Sequence, residues 1–163
     1  PARLAALKTT PADAARRAEQ VQSELKAAEK EVERLSAVAV RSKLDSAFDT
    51  AVDIKGVRLA RIRLEDISLE LVRKIGDDLK SRDDALCALF SIRNGDKLSF
   101  AAFSTKKAIA AGLSAGDLVK GVAVLTRGNG GGRPDSASAG GKDIDKLDYA
   151  LSEAEKIAAG LIK

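Results

Sequence analysis

Between Ala14 and Ala39 the apolar residues fall at Ala14, Ala18, Val21, Leu25, Ala28, Val32, Leu35 and Ala39. The intervals alternate four and three, the heptad rhythm of a helix that buries a narrow seam. The other faces are Glu, Lys, Arg and Gln. Thr10-Pro11-Ala12-Asp13 supplies the start: Thr10 caps, Pro11 suits the first helical position, and Asp13 favours the positive end of the dipole. The spacing predicts a helix over residues 11–44, about 50 Å long at 1.5 Å per residue. A seam this narrow and Ala-rich does not stabilise a lone helix, so the helix must pair. Three partners stay open: a preceding helix ending near Leu4 and Leu7, another part of a parent chain, or a second copy through Val21, Leu25, Ala28, Val32 and Leu35.

Beyond residue 45 the pattern changes to short mixed elements. Residues 48–54 and 57–64 read as strands around a Lys55-Gly56 turn, and 67–80 as a helix with Leu71, Val72, Ile75 and Leu79 on one face. Residues 85–92 and 97–103 read as a hairpin turning at Asn94-Gly95. Ser104 is positioned to cap a short helix ended by Gly112. Ser114 to Asp117 resembles a capping box before a helix with Leu118, Val122 and Leu125. Asp143 is positioned to cap a last helix of 144–159, ended by Gly160. Alternation in the hairpin strands predicts one core face and one smaller, more polar face that is partly exposed. The expected class is α+β: a coiled-coil-like helical part, 1–45, then a globular part, 46–163, with a mixed or antiparallel sheet packed by helices.

Composition removes several chemistries. The 163 residues include no His, Met or Trp and one Cys. That excludes an imidazole base, a His zinc ligand and an internal disulfide. Cys87 sits in an apolar run, where an inert buried thiol is the expectation. No acidic pair has a spacing that marks a metal or acid–base site. No apolar run approaches the roughly 18 residues that span a bilayer, and a reducing cytoplasm fits. With no Met at position 1, the sequence reads as a processed chain or as a piece of something longer. The net charge is only +4, but it is unevenly spread. Residues 97–142 carry Lys97, Lys106, Lys107, Lys120, Arg127, Arg133 and Lys142 against Asp117 and Asp135. A second basic run is Lys55, Arg58, Arg61 and Arg63. A solvated charged face explains either run as readily as a binding surface does.

Residues 128–142 hold Gly128, Gly130, Gly131, Gly132, Gly140 and Gly141, six of the 13 glycines. A Gly/Ser linker is one reading. The embedded Arg133-Pro134-Asp135 and the Lys142-Asp143 pair favour another: a loop whose amides line a concavity for an anion or a nucleic acid backbone. The spacing matches neither a P-loop nor a dinucleotide fingerprint.

These residues carry a resemblance. Gly130-Gly131-Gly132-Arg133-Pro134-Asp135, then Ala139-Gly140-Gly141-Lys142-Asp143 and a final helix, resembles the C-terminal end of bacterial alanyl-tRNA synthetase. Ala115-Gly116-Asp117-Leu118-Val119-Lys120 and the preceding coiled-coil-like segment agree, and the resemblance covers essentially the whole chain. The globular part also resembles the substrate-binding domain attached to DHH-type phosphodiesterases. There the glycine motif ends in His, whereas Arg133 stands here. The chain departs from the synthetase pattern at Ser136 and Ser138, where Met and Gln usually fall.

The resemblance implies a non-catalytic C-terminal domain of alanine–tRNA ligase. Such a domain contacts alanine tRNA at its elbow and helps couple aminoacylation with editing by upstream domains of the same chain. ATP, Mg and zinc would be used in those other domains, and no cofactor in this piece. The implied tRNA contacts are Gly130, Gly131, Gly132, Arg133 and Lys142, with Lys106, Lys107 and Arg127 in support. Pro134, Asp135, Gly140 and Gly141 would structure the loop, with Asp135 bonding loop amides. The shortage of aromatics argues against a single-strand stacking platform, and recognition by shape and backbone fits better. The alternatives are a homodimerisation module built on the helix seam and a substrate-binding domain of a phosphodiesterase.

Overall fold

The computed structural model describes residues 10–163. The expectation for Leu4 and Leu7 lies outside them. The chain divides into two compact units, Pro1–Ser36 and Ala37–Lys163.

Helix α1 runs Pro11–Asp49, five residues past its expected end. Its start is a reciprocal cap. The Asp13 amide donates to Thr10 Oγ1 at 3.2 Å, and the Thr10 hydroxyl donates to Asp13 Oδ2 at 2.6 Å. Exposed Gln20–Glu24 and Arg34–Glu31 contacts follow along the helix at spacings of four and three, as neighbours on one helix face. No described residue covers the seam: Val21, Leu25, Val32 and Leu35 are 53–63% exposed, and Ala28 is exposed as well.

The sequence reading put the domain boundary after residue 45. The second unit begins instead at Ala37, because the last turns of α1 belong to its core: Val40, Leu44 and Ala47 are buried there. The expected strand at 48–54 shrinks accordingly to β1, Val52–Ile54.

The rest forms one mixed six-stranded sheet with helices on both faces. In chain order it comprises β1, β2 (Val57–Glu65), α2 (Leu69–Leu79), β3 (Leu86–Asn94), β4 (Lys97–Ser104), α3 (Lys106–Ala110), α4 (Ala115–Leu125), β5 (Asn129–Gly132), β6 (Ser136–Gly141), a 3₁₀ turn at Ile144–Lys146, and α5 (Leu147–Leu161). The strand order is β1-β2-β3-β4-β6-β5. Only β2 and β3 are parallel, and α2 makes the crossover between them.

The turns obey their residues. Lys55 and Gly56 both have positive φ, as a two-residue hairpin of the mirror-image type requires. At the next hairpin the pairing of Asn94 with Lys97 leaves Gly95-Asp96 as the turn, one residue later than expected. Gly95 takes φ +60° and Asp96 does not go positive, the pattern in which only the first turn residue must be glycine. The short helix α3 is capped by Thr105 and not by Ser104, because Ser104 is still in the β4 ladder. Ser114 caps α4 as expected. Asp143 opens only the 3₁₀ turn, without a side-chain cap bond, and α5 continues through Gly160.

Both sheet faces are buried, which corrects the expectation of one exposed face. Paired strands put Phe90, Ala88, Ala101 and Phe103 on one side, under α2 and the end of α1. Leu89, Cys87, Phe100 and Ala102 lie on the other, under α4 and α5. The polar-looking positions mislead because Cys87, Ser91 and Ser104 are small enough to sit beneath helices; all three are buried. Each fully buried Leu or Phe contributes about 1.5–3 kcal/mol. The Phe90 and Phe103 rings meet edge to face at 5.9 Å. The basic run of β2 is used internally. Arg58 pairs with Asp84, Arg61 with Glu155 and Arg63 with Asp148. Lys55 donates to the Ala159 and Ile162 carbonyls at the end of α5.

Among the described residues no helix is long and apolar enough to cross a membrane, and no His, Cys, Asp and Glu group is arranged to hold a metal ion.

Candidate nucleic-acid interface

The glycine segment is neither a linker nor a single loop. It is a hairpin of two strands, β5 and β6, with β6 laid between β4 and β5. Glycine serves close packing at Gly128, where a Cβ would stand 1.9 Å from the Gly140 carbonyl oxygen. It serves conformation at Gly132, whose φ of +159° belongs to the extended region that essentially only glycine enters. Gly140 and Gly141, expected in a loop, are part of β6.

Only Arg133-Pro134-Asp135 is a turn, and it is held from three sides. Arg133 N–H donates to the Ser136 carbonyl, Ser104 N–H to the Asp135 carbonyl, and Ala115 N–H to the Pro134 carbonyl, at 2.8–3.0 Å. The Asp135 carboxylate was expected to accept from loop amides. Instead it pairs mainly with Lys80 at 3.2 Å and with Arg133 at 3.3 Å. Partial burial would raise its pKa, but the Lys80 hydrogen bond and the Lys80 and Arg133 charges together hold it below the usual carboxylate range. Lys80 also pairs with Asp77 at 2.7 Å, and its ammonium is shifted upward chiefly by that bond.

Between this hairpin and α2 lies a cleft of about 320 Å³. Its floor is Gly131, Ser136, Ser138 and the Phe103 ring; Arg73 and Asp77 rise from α2, and Arg133 stands at the turn. Arg73 donates to Ser138 Oγ at 2.8 Å. The sequence reading missed Arg73, because on a helix with a clear apolar stripe it looks like any solvated residue. Ser136 and Ser138, noted only as departures from a pattern, both face the cleft.

The structure separates residues that the sequence reading grouped. Arg133 is at one end of the hairpin, and Arg127 and Lys142 are at the other, about 20 Å away at 3.3 Å per residue. There the Lys142 and Asp143 amides both donate to the Thr126 carbonyl at 2.9 Å. Arg127 and Lys142 share a shallow cleft of about 440 Å³ with Asp96, Asp143 and Asp145. Gly130, Gly131 and Gly132 form the outer strand between the two ends. Lys106 and Lys107 open α3; Lys107 pairs with Asp83 at 3.2 Å.

Arg127 has φ +56°. It ends α4 in the left-handed conformation usually given to glycine, with Gly128 N–H bonding the Ala123 carbonyl and Arg127 N–H the Val124 carbonyl. That arrangement fixes where its guanidinium leaves the backbone.

The mixed sheet thus ends in a glycine hairpin, with arginines at its turn and across its cleft. The DHHA1 domain model matches residues 56–160, and the chain belongs to that family. Within it, the chain is similar to curated alanine–tRNA ligases. It is 39% identical to the Acetivibrio thermocellus enzyme over 151 residues, which is 93% of this chain and 17% of that protein. It is 38% identical to alanine–tRNA ligase 1 of Lachnoclostridium phytofermentans over 156 residues, 96% of this chain and 18% of that protein. Among solved structures it is similar to the C-Ala domain of Aquifex aeolicus alanyl-tRNA synthetase, at TM-score 0.61 and 28% identity, covering 68% of this chain and 98% of that one. The chain thus spans under a fifth of the length of the curated relatives it matches.

Proposed function

We propose that this chain is a non-catalytic, tRNA-binding domain of an alanine–tRNA ligase. It grips the outer corner of the tRNA, where the D and T loops meet, and so helps the aminoacylation and editing centres of one cytoplasmic polypeptide work on the same tRNA. ATP, Mg and zinc are used by other domains of that polypeptide. The observation that carries the reading is the glycine hairpin: Arg73 and Arg133 stand over a side-chain-poor floor that lets a sugar–phosphate backbone approach closely. Their positions suit phosphate contacts, and Lys142 with Arg127 adds contacts at the far end.

About three phosphate contacts predict modest, salt-sensitive affinity, with a log–log slope of roughly −2 to −3. Titrating alanine tRNA against the chain at several salt concentrations, with nuclease footprinting at low salt, tests the proposal. Protection at the elbow is the expected result. A slope near zero, or protection confined to the acceptor stem, overturns it.

The exposed seam of α1 favours a second role in the same enzyme, self-association through Val21, Leu25, Ala28, Val32 and Leu35. Sedimentation with and without residues 1–36, which leaves the second unit whole, tests it: loss of a dimer on truncation supports the role, and a monomer in both cases excludes it.

A further inference from the structure

Outside α1, the exposed large apolar side chains among the described residues are Val124, 58% exposed, and Tyr149, 54% exposed. They lie on neighbouring helices. The end of α4 meets the start of the α5 segment, where Thr126 accepts the Lys142 and Asp143 amides. The residues before α4 meet the end of α5, where Lys163 N–H donates to the Ala111 carbonyl. The two helices are therefore antiparallel, and Gly121 packs against Ile157 between them. Each apolar residue sits in a strip of cations. Along α4 the strip is Lys120, Val124, Arg127, at helical spacings of four and three. Along α5 the same face carries Lys146, Tyr149, the acid Glu153 and then Lys156, at spacings of three, four and three, with Lys156 about 10 Å from Tyr149. Lys120, Arg127 and Lys146 are exposed and make no salt bridge among the described residues. Lys156 is paired with Glu153 at 2.8 Å. The other acids nearby are Asp117, one turn before Lys120, and Asp143 and Asp145 below Arg127.

An apolar centre flanked by the unpaired cations Lys120, Arg127 and Lys146 suits a ligand with a flat apolar face and anionic flanks. We infer that Tyr149, with Val124 exposed on the neighbouring helix, is a stacking platform for one exposed base face of a folded RNA loop, with Arg127 and Lys146 holding the flanking phosphates. The few aromatics of this chain exclude a run of stacked bases, but one ring serves one base. The surface lies on the helical layer, on the opposite side of the sheet from the Arg73 cleft. The inference rests on the tRNA-binding reading and adds a second contact area to it.

Tyr149 is the chain's one tyrosine and there is no tryptophan, so its emission reports directly on the platform. Alanine tRNA is titrated into the intact chain, with free tyrosine amide as the inner-filter control. Affinity is measured in parallel for Tyr149→Ala, Tyr149→Phe and Lys146→Ala, each checked for an unchanged thermal melt. Quenching beyond the control is expected, with about a tenfold affinity loss for Tyr149→Ala and retention within about twofold for Tyr149→Phe. Lys146→Ala should make the salt slope shallower by about one unit. Salt-dependent tRNA binding with no quenching and an unaffected Tyr149→Ala overturns the platform and leaves the tRNA-binding reading standing. A Tyr149→Ala effect on self-association but not on tRNA affinity also overturns it, in favour of a protein contact. No tRNA binding by the unmodified chain removes the tRNA reading itself, and the platform with it.

Discussion

Arg73 donates a 2.8 Å hydrogen bond to the hydroxyl of Ser138, tying helix α2 to the strand that fills the sheet between β4 and the glycine edge. The two residues are 65 positions apart in sequence. The bond holds a long, exposed guanidinium over the cleft at a place where a relaxed Arg would sample many rotamers.

Ser138→Ala removes that tether without removing the charge. Stability should change by less than about 0.5 kcal/mol, since the bond itself is open to solvent. The affinity for tRNA should fall about two- to fivefold, the cost of ordering a freed side chain. Arg73→Ala should lose more, and Arg73→Lys should not restore it, because an ammonium lacks the planar fork. Chemical denaturation and tRNA titration on the same samples separate the two effects.

Two glycines of the hairpin should answer very differently to alanine. In Gly128→Ala the new Cβ would meet the Gly140 carbonyl at 1.9 Å, so a loss of about 3 kcal/mol is expected. Gly140→Ala places its Cβ in open space at an ordinary φ and should stay within about 0.5 kcal/mol of the parent. Urea midpoints at constant m-value measure both.

Arg127→Gly should stabilise the fold while weakening RNA binding. Relief of the left-handed conformation contributes about 1–2 kcal/mol, partly offset by the larger entropy of glycine in the unfolded chain. A net gain of about 0.5–1 kcal/mol in urea, with a shallower salt slope for tRNA, is the expected pair of results. A stability loss would mean that the Arg127 side chain makes a packing contribution.

Acid should loosen the fold through Asp84. The Arg82 hydrogen bond, opposed by partial burial and assisted by Arg58, depresses its carboxyl pKa. A depressed folded pKa means that this stabilisation is fully present above the unfolded value, about 3.9. It is lost as pH falls through the lower folded value. Asp135 shifts in the same direction. Urea midpoints from pH 6 down to about 2 should therefore fall mainly below pH 4, and Asp84→Asn should flatten that part of the curve.

Local rules were sufficient wherever the physics is local. The Thr10 and Ser114 caps, the Lys55-Gly56 turn and the helix through Leu71, Val72, Ile75 and Leu79 need only a few consecutive residues, and all stand where the spacing predicted them. The same rules erred by one residue at Gly95, because register is set by the pairing of Asn94 with Lys97. They failed at Ser104, because a ladder bond to a distant strand outranked a cap.

The sequence by itself determined that there is a long helix with an apolar seam, that no imidazole chemistry is present, and that the glycine segment with Arg133-Pro134-Asp135 is distinctive. Only the tertiary structure decided what that segment is. Its glycines carry no side-chain pattern, so nothing in their spacing could show that they pair as strands at a sheet edge. Charge was equally undetermined. Arg58, Arg61 and Arg63 look as available as Arg127 in sequence, yet acids 26–94 positions away pair with them. Arg73 looks like surface and is brought to the cleft by the β2–β3 crossover. Which cation stays free is a property of long-range contacts, because a salt bridge depends on which chain segments packing brings within about 4 Å.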